Sequence, residues 1–294
     1  MRVAGFTFIR NAVRYDYPIV EAIRSILPLC DLVIVAVGQS EDGTLELIQG
    51  IGDPKIKILE TLWDDRLREG GRVLAVETDK AFQAIPADYD WCIYIQGDEA
   101  MHEQDHALLR QQMEAHLHNP AIEGLLLNYH HFYGSYDYIG SSRRWYRKEI
   151  RIIKNKKTIF SYKDAQGFRL RLPNQKSRKL QVKPVNAWIY HYGWVKHPAH
   201  QLNKQLNFNK LWHPDDWVQD RFGQQEEYQY DGSEPLRRFE GSHPAVMQPR
   251  IQAVNWQFNS DPSRMRRSWK DRISDWLERT TGWRPGEYKN YDLR

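Results

Sequence analysis

The sequence predicts an α/β fold, a sheet flanked by helices with a C-terminal helical appendage, and three observations carry that expectation. The first hundred residues alternate strand-like and helix-like patterns, in the rhythm of a parallel sheet with crossover helices. Residues 32–37 are a near-continuous apolar run, as a strand buried on both faces requires. A second apolar run, 91–95, stops abruptly at Gly97 and the acidic pair Asp98 and Glu99.

The elements follow in order. Val3–Ile9 reads as the first strand, and residues 18–27 as a helix with Pro18 at its start, where the missing N–H costs nothing. Residues 32–37 form the second strand, Thr44–Gln49 a short helix and 55–59 the third strand. Residues 71–85 carry Val73, Val76, Ala81, Phe82 and Ile85 at helical spacing, and the β-branched and aromatic run 91–95 is the fourth strand. This ordering puts the loops after strands one, two and four on one rim, where open α/β sheets take their ligands. Beyond Asp98 the rhythm changes. A helix over 102–118, a strand over 124–128, a strand over 188–192 and a helix over 199–212 stand out, while 129–163 is rich in aromatics and arginines without a clear period. At 263–281, Met265, Trp269, Ile273, Trp276 and Leu277 recur at helical spacing opposite Arg264, Arg266, Arg267, Lys270 and Arg272. Such a helix either packs its tryptophans on the main domain or lays a basic face on anionic headgroups at an inner membrane.

Bulk composition narrows the class. The 294 residues hold 42 Lys and Arg against 38 Asp and Glu, so the net charge of +4 gives no argument for nucleic acid. Cys30 and Cys92 lie beside apolar runs in a chain with no secretory signal, which leads us to expect reduced core thiols in a cytoplasmic protein. No apolar stretch reaches the ~20 residues that span a bilayer. Aromatic residues make up 13% and cluster in the second half, where rings serve a core, a partner surface or the faces of sugars.

The acidic strand tip is the most informative motif. Two adjacent carboxylates repel unless something positive lies between them, and a magnesium or manganese ion holding a diphosphate suits that place. The competing reading makes them caps for the helix that starts near Glu103. Asp42, between a buried strand and a small-residue turn, either points into the crevice or caps the helix at Thr44. Asp64, Asp65 and Asp79 are weaker candidates, and His197 and His213 rank below His191, which follows Trp188-Ile189-Tyr190.

The strand ending Ile9-Arg10-Asn11, the run Val33-Ile34-Val35-Ala36-Val37 leading to Ser40-Glu41-Asp42-Gly43-Thr44, and the acidic tip together resemble family-2 glycosyltransferases of the GT-A nucleotide-sugar fold. Gln96-Gly97-Asp98-Glu99-Ala100-Met101-His102-Glu103 with His191-Tyr192-Gly193-Trp194-Val195 resembles one bacterial branch of that family and extends the likeness over nearly the whole chain. One departure is visible: Gln96 stands where the family's Asp-x-Asp motif has its first aspartate, and an amide cannot replace that charge.

The resemblance implies a GT-A domain over residues 1–195, with a nucleotide-binding half at 1–100 and an acceptor half at 101–195, and a helical extension over 196–294 packed on it. It implies transfer of a monosaccharide from a nucleotide-sugar donor to a glycan or lipid-linked acceptor, with inversion, and no nucleic-acid partner. Arg10, Asn11, Asp42, Arg72, Gln96 and Gly97 are then expected at the nucleotide sugar, with Asp98 and His191 on Mn2+ or Mg2+. An inverting transferase needs a general base for the acceptor hydroxyl. Asp164 is the first candidate, Glu99 the second and His131 the third. Tyr129, Phe132, Tyr133, Tyr136 and Trp145 are expected either to floor the acceptor site or to fill the core. Two other activities compete. A sugar-phosphate nucleotidyltransferase would carry a glycine-rich loop after the first strand, and Arg10-Asn11-Ala12-Val13-Arg14 has no glycine. An RNA- or glycan-binding module would exploit the basic, aromatic second half, against which stand the acids gathered at the strand tips.

Overall fold

The computed structural model describes residues 1–67, 69–258, 260, 273, 276, 278, 280, 281, 284 and 286–294. Four parallel strands open the chain: β1 (Val3–Ile9), β2 (Leu32–Gly38), β3 (Ile56–Thr61) and β4 (Trp91–Tyr94), side by side in the order β3-β2-β1-β4. Helices α1 (Ile19–Ile26), α2 (Thr44–Gln49) and α3 (Arg72–Gln83) connect them. Strand alternation divides the apolar residues between two layers. Val33, Val35 and Val37 meet Ile19, Ile23 and Ile26 of α1 on one face, while Phe6, Ile34 and Tyr94 meet Val73, Leu74 and Phe82 of α3 on the other. Both faces are covered, which is why these strands read as unbroken apolar runs.

The second half completes a mixed sheet. After β5 (Glu99–Met101) and α4 (His106–Ala115) come β6 (Gly124–Tyr133), β7 (Ser135–Gly140), β8 (Lys148–Lys154), β9 (Ile159–Tyr162), β10 (Gly167–Arg171) and the long β11 (Ser177–Trp194). The sheet runs on from β4 as β8-β6-β11-β10-β9, with β8 antiparallel to both its neighbours and β11 parallel to β6. The mixed sheet flanked by helices matches the expected fold class. Residues 129–163, which had no clear period, hold the end of β6 and all of β7, β8 and β9. In β8, Glu149 and Arg151 are buried beside Ile150, Ile152 and Ile153, so its charges hid the strand. The strand expected at 188–192 is only the end of β11. Its earlier part carries Arg178, Lys179 and Lys183, and Pro184 sits where the pairing with β6 shifts register, a position that tolerates a missing N–H.

The C-terminal portion is not purely helical. Helices α5 (Pro198–Phe208) and α6 (Asp215–Phe222) pack through Leu202, Val218 and Phe222. Strand β12 (Leu236–Arg238) pairs with β7, a short α7 (Gln248–Gln252) follows, and β13 (Tyr291–Leu293) joins β11 in parallel. The amphipathic helix expected over 263–281 lies for the most part outside the described residues. Among the described residues no helix is long and apolar enough to cross a membrane. Cys30 and Cys92 are buried, unbonded thiols.

Candidate active site

A cleft of about 1110 Å³ opens at the C-terminal tips of β1, β2 and β4, the rim that the strand order designates. Arg10 and Asn11 line it from β1, Gln96, Gly97 and Asp98 from β4, and His191 from β11. Two loops at this rim are clamped together. Asn11 turns the chain with φ +54°, a conformation asparagine tolerates, its N–H donates to Ser40 Oγ at 3.0 Å, and its Oδ1 accepts from Glu41 N. Asp42 accepts from Thr44 N and Oγ1 through one oxygen and from Arg14 N at 2.7 Å through the other. Thr44 Oγ1 in turn accepts from Ala12 N. Asp42 does not line the cleft; its carboxylate bonds Thr44, the first residue of α2, just before which Gly43 is the N-cap, and it pins the β1–α1 loop through Arg14 N.

Glu99 also departs from expectation. Its side chain is fully buried, held bidentately by Arg151 at 2.8 and 2.9 Å, and it accepts from Tyr129 Oη at 2.7 Å and Gln96 N at 3.1 Å. A carboxylate so enclosed has no path to an acceptor hydroxyl. It braces the turn that presents Asp98, and burial gives it that role because a lone buried charge is untenable.

Asp98 and His191 come together through sheet register. Glu99 of β5 pairs with His191 of β11, which also pairs with His131 of β6, and Tyr192 N donates to the Asp98 carbonyl at 2.7 Å. Asp98 Oδ2 then lies 3.8 Å from His191 Nε2 and 3.2 Å from Lys204 Nζ. Burial pushes the Asp98 carboxyl up, but the charges of Lys204, His191 and Lys196 outweigh burial and hold it well below the usual carboxylate range. Burial lowers the pKa of both His191 and His131 and so favours their neutral forms, while the Asp98 carboxylate opposes this at His191.

Their tautomers follow from their partners. His131 Nε2 faces the Tyr146 carbonyl at 2.8 Å, so it carries the proton, and its Nδ1 is an acceptor. His191 Nδ1, 3.2 Å away, must donate to it. That leaves the lone pair of His191 Nε2 directed at the Asp98 carboxylate. Gly193 keeps the space between them open: a Cβ there would lie 2.6 Å from Asp98 Oδ2 and 2.7 Å from His191 Nε2. Two facing electron-pair donors with room between them suit a divalent cation that draws its other ligands from diphosphate and water. Among the described residues no three Asp, Glu, His or Cys side chains form a closed cage.

The remaining candidates divide. Gln96 Nε2 donates to the Ala165 carbonyl at 3.2 Å, tying the β4 tip to the turn that carries Asp164. Asp164 lines the cleft between Lys163 and Ala165, both at positive φ, and packs where Gly71 lacks a Cβ that would come within 2.7 Å of it. Its Oδ1 is buried without a hydrogen-bond partner among the described residues, and burial raises its pKa. Arg10 pairs with Asp65 at 3.1 Å and lies over Trp63. Arg72 lines not this cleft but an adjoining one with Asp79, Tyr162 and Arg171. His197 caps α5, and His213 stacks on Trp217. Tyr129, Phe132, Tyr133 and Tyr136 are core residues, whereas Trp145 lines the cleft. Sequence reasoning missed Tyr17, Trp63, Trp194, Trp212 and above all Lys204. Beside Leu202, α5 buries Gln201, Lys204 and Gln205, a polar stripe that in sequence looks like a solvated one.

No family profile and no curated protein matches the sequence. Distant likenesses exist among solved structures. Glucosyl-3-phosphoglycerate synthase from Mycobacterium tuberculosis, with Mn2+, uridine diphosphate and phosphoglyceric acid, is 17% identical with a TM-score of 0.30 over 45% of this chain and 43% of its own. TarS 1-349 from S. aureus is 11% identical, with a TM-score of 0.38 over 74% of this chain and 68% of its own. The 4-diphosphocytidyl-2C-methyl-D-erythritol synthase from Anaerococcus prevotii DSM 20548 is 9% identical, with a TM-score of 0.33 over 52% and 71%. The chain spans less than half the length of the Mycobacterium enzyme it matches.

Proposed function

We propose that the protein transfers a monosaccharide from a nucleoside-diphosphate sugar to a hydroxyl of a glycan or lipid-linked acceptor, with inversion. The observation that carries this reading is the meeting of Asp98 Oδ2 and the His191 Nε2 lone pair, 3.8 Å apart, at the strand-tip cleft. Together they would hold Mg2+ or Mn2+, which supplies positive charge to a departing diphosphate. Lys204, whose ammonium pairs with Asp98 at 3.2 Å, and Arg10, whose guanidinium lies beside Trp63, bring further positive charge to the cleft. The clamped loops fix the cleft before the donor arrives, so these loops lose less freedom when it binds. Asp164, which lines the cleft with its pKa raised by burial, takes the acceptor proton. Trp145, Trp194 and Trp212 give the cleft ring faces that pack against sugar C–H surfaces.

A panel of nucleotide sugars, assayed for diphosphate release with Mn2+ against oligosaccharide and polyprenyl-phosphate acceptors, tests the reading. Turnover with one donor is expected. In Asp164→Asn, kcat falls by roughly 10²- to 10⁴-fold while donor affinity holds within about twofold. Full turnover in that variant removes Asp164 as the base.

A further inference from the structure

We propose that Lys204 is a resident cation of the diphosphate site and competes with the divalent metal for Asp98. The inference rests on the reading of Asp98 and His191 as metal ligands. Lys204 Nζ is 3.2 Å from Asp98 Oδ2 and 2.9 Å from the Gly193 carbonyl, so it borders the space that the missing Gly193 Cβ leaves between Asp98 and His191. The lysine is not a surface charge that strayed inward: its side chain is 8% exposed and comes from the buried face of α5.

An ammonium and a metal ion on one carboxylate oxygen repel each other, and each neutralises the charge that would attract the other. Metal binding therefore requires the ammonium to leave Oδ2. Its surroundings give it somewhere to go. Nζ lies 5.1 Å from the centre of the Tyr17 ring and 5.7 Å from that of Phe208, and both rings line the cleft, so the ammonium can shift along aromatic faces toward a bound diphosphate. Lys196 cannot stand in for it. That amine is fully buried, donates to the Asp16 carbonyl and sits over the same Tyr17 ring at 4.6 Å. Lys204 thus keeps Asp98 paired when no metal is present and supplies a second positive charge to the diphosphate when one is.

The test is Mn2+ titration followed by the electron paramagnetic resonance of the free ion, without nucleotide, on wild type, Lys204→Met, Lys204→Arg and Asp98→Asn. Competition makes Lys204→Met bind Mn2+ about five- to tenfold more tightly than wild type, with Lys204→Arg within about twofold of it. In EDTA, Lys204→Met binds inorganic pyrophosphate roughly tenfold more weakly. Unchanged or weaker Mn2+ binding by Lys204→Met, with binding abolished in Asp98→Asn, overturns the competition and leaves the metal ligands standing. Mn2+ binding by Asp98→Asn equal to wild type overturns the ligand reading itself. Should Lys204→Met fail to fold, acylation of Lys204 in the wild-type protein, read by mass spectrometry, decides the matter. Faster labelling with Mg2+ supports displacement, and unchanged or slower labelling overturns it.

Discussion

His191 Nδ1 lies 3.2 Å from Nδ1 of His131, and with His131 as the acceptor this contact leaves Nε2 as the His191 nitrogen that can bind a cation. The backbone carbonyl of Tyr146 fixes the His131 tautomer, so the chain of bonds starts from a group that can only accept. Strand pairing supplies the rest, because His131 and His191 are register partners on β6 and β11.

Substituting His131 with phenylalanine keeps the ring that stacks on Trp145 and removes the acceptor. His191 is then free to take the other tautomer, with its proton at Nε2. Mn2+ affinity is expected to fall about 10- to 100-fold, the range typical of partners that orient a ligating histidine. Calorimetric Mn2+ titration checks this, and circular dichroism separates lost orientation from a lost fold.

The Glu99–Arg151 pair is a brace, with both side chains fully buried. Removing one partner strands the other charge, so Arg151→Leu is expected to cost about 3–5 kcal/mol in urea unfolding. Replacing both, as Glu99→Leu with Arg151→Leu, costs less than the single change. A Glu99→Gln protein that folds retains the slope of its activity against pH, because Glu99 does not act on the acceptor.

Glu149 gives a pH signature. Burial raises its pKa to about 8, above the value an unfolded chain would show, so the native state holds a proton that the unfolded state releases. Stability linked to this group is present below the unfolded value near 4.5 and declines as pH rises toward 8. Glu149→Gln mimics the protonated acid. It is expected to match wild type at pH 4.5 and to melt at a higher temperature than wild type at pH 8.5, measured by calorimetry.

Asp42→Ala tests the clamp between the loops. Losing the bonds to Thr44 and Arg14 N is expected to cost about 1–2 kcal/mol, with nucleotide affinity falling less than fivefold. Loss of nucleotide binding without loss of stability would restore Asp42 to the ligand.

The first four strands and the acidic tip were legible because each is a local pattern: apolar runs of strand length, punctuated by Gly97 before Asp98. Sheet pairing is not local. That Glu99 meets His191 across ninety-odd residues, and that His131 stands on the far side, depends on register between β5, β11 and β6, which no single stretch encodes. Buried charges misled in both directions. Arg151 and Glu149 disguised a strand, Lys204 sits in a polar stripe that reads as solvated, and Glu99, the first residue of β5, is buried although Asp98, in the turn just before it, lines the cleft.

The central claim is that Asp98 and His191 form a cation site for a nucleoside diphosphate. Thermal-shift titration of nucleoside diphosphates with and without Mn2+, on wild type and Asp98→Ala, addresses it most directly. The expected result is a Mn2+-dependent rise in melting temperature for wild type that vanishes in Asp98→Ala, and an equal Mn2+-dependent rise in both proteins would contradict it.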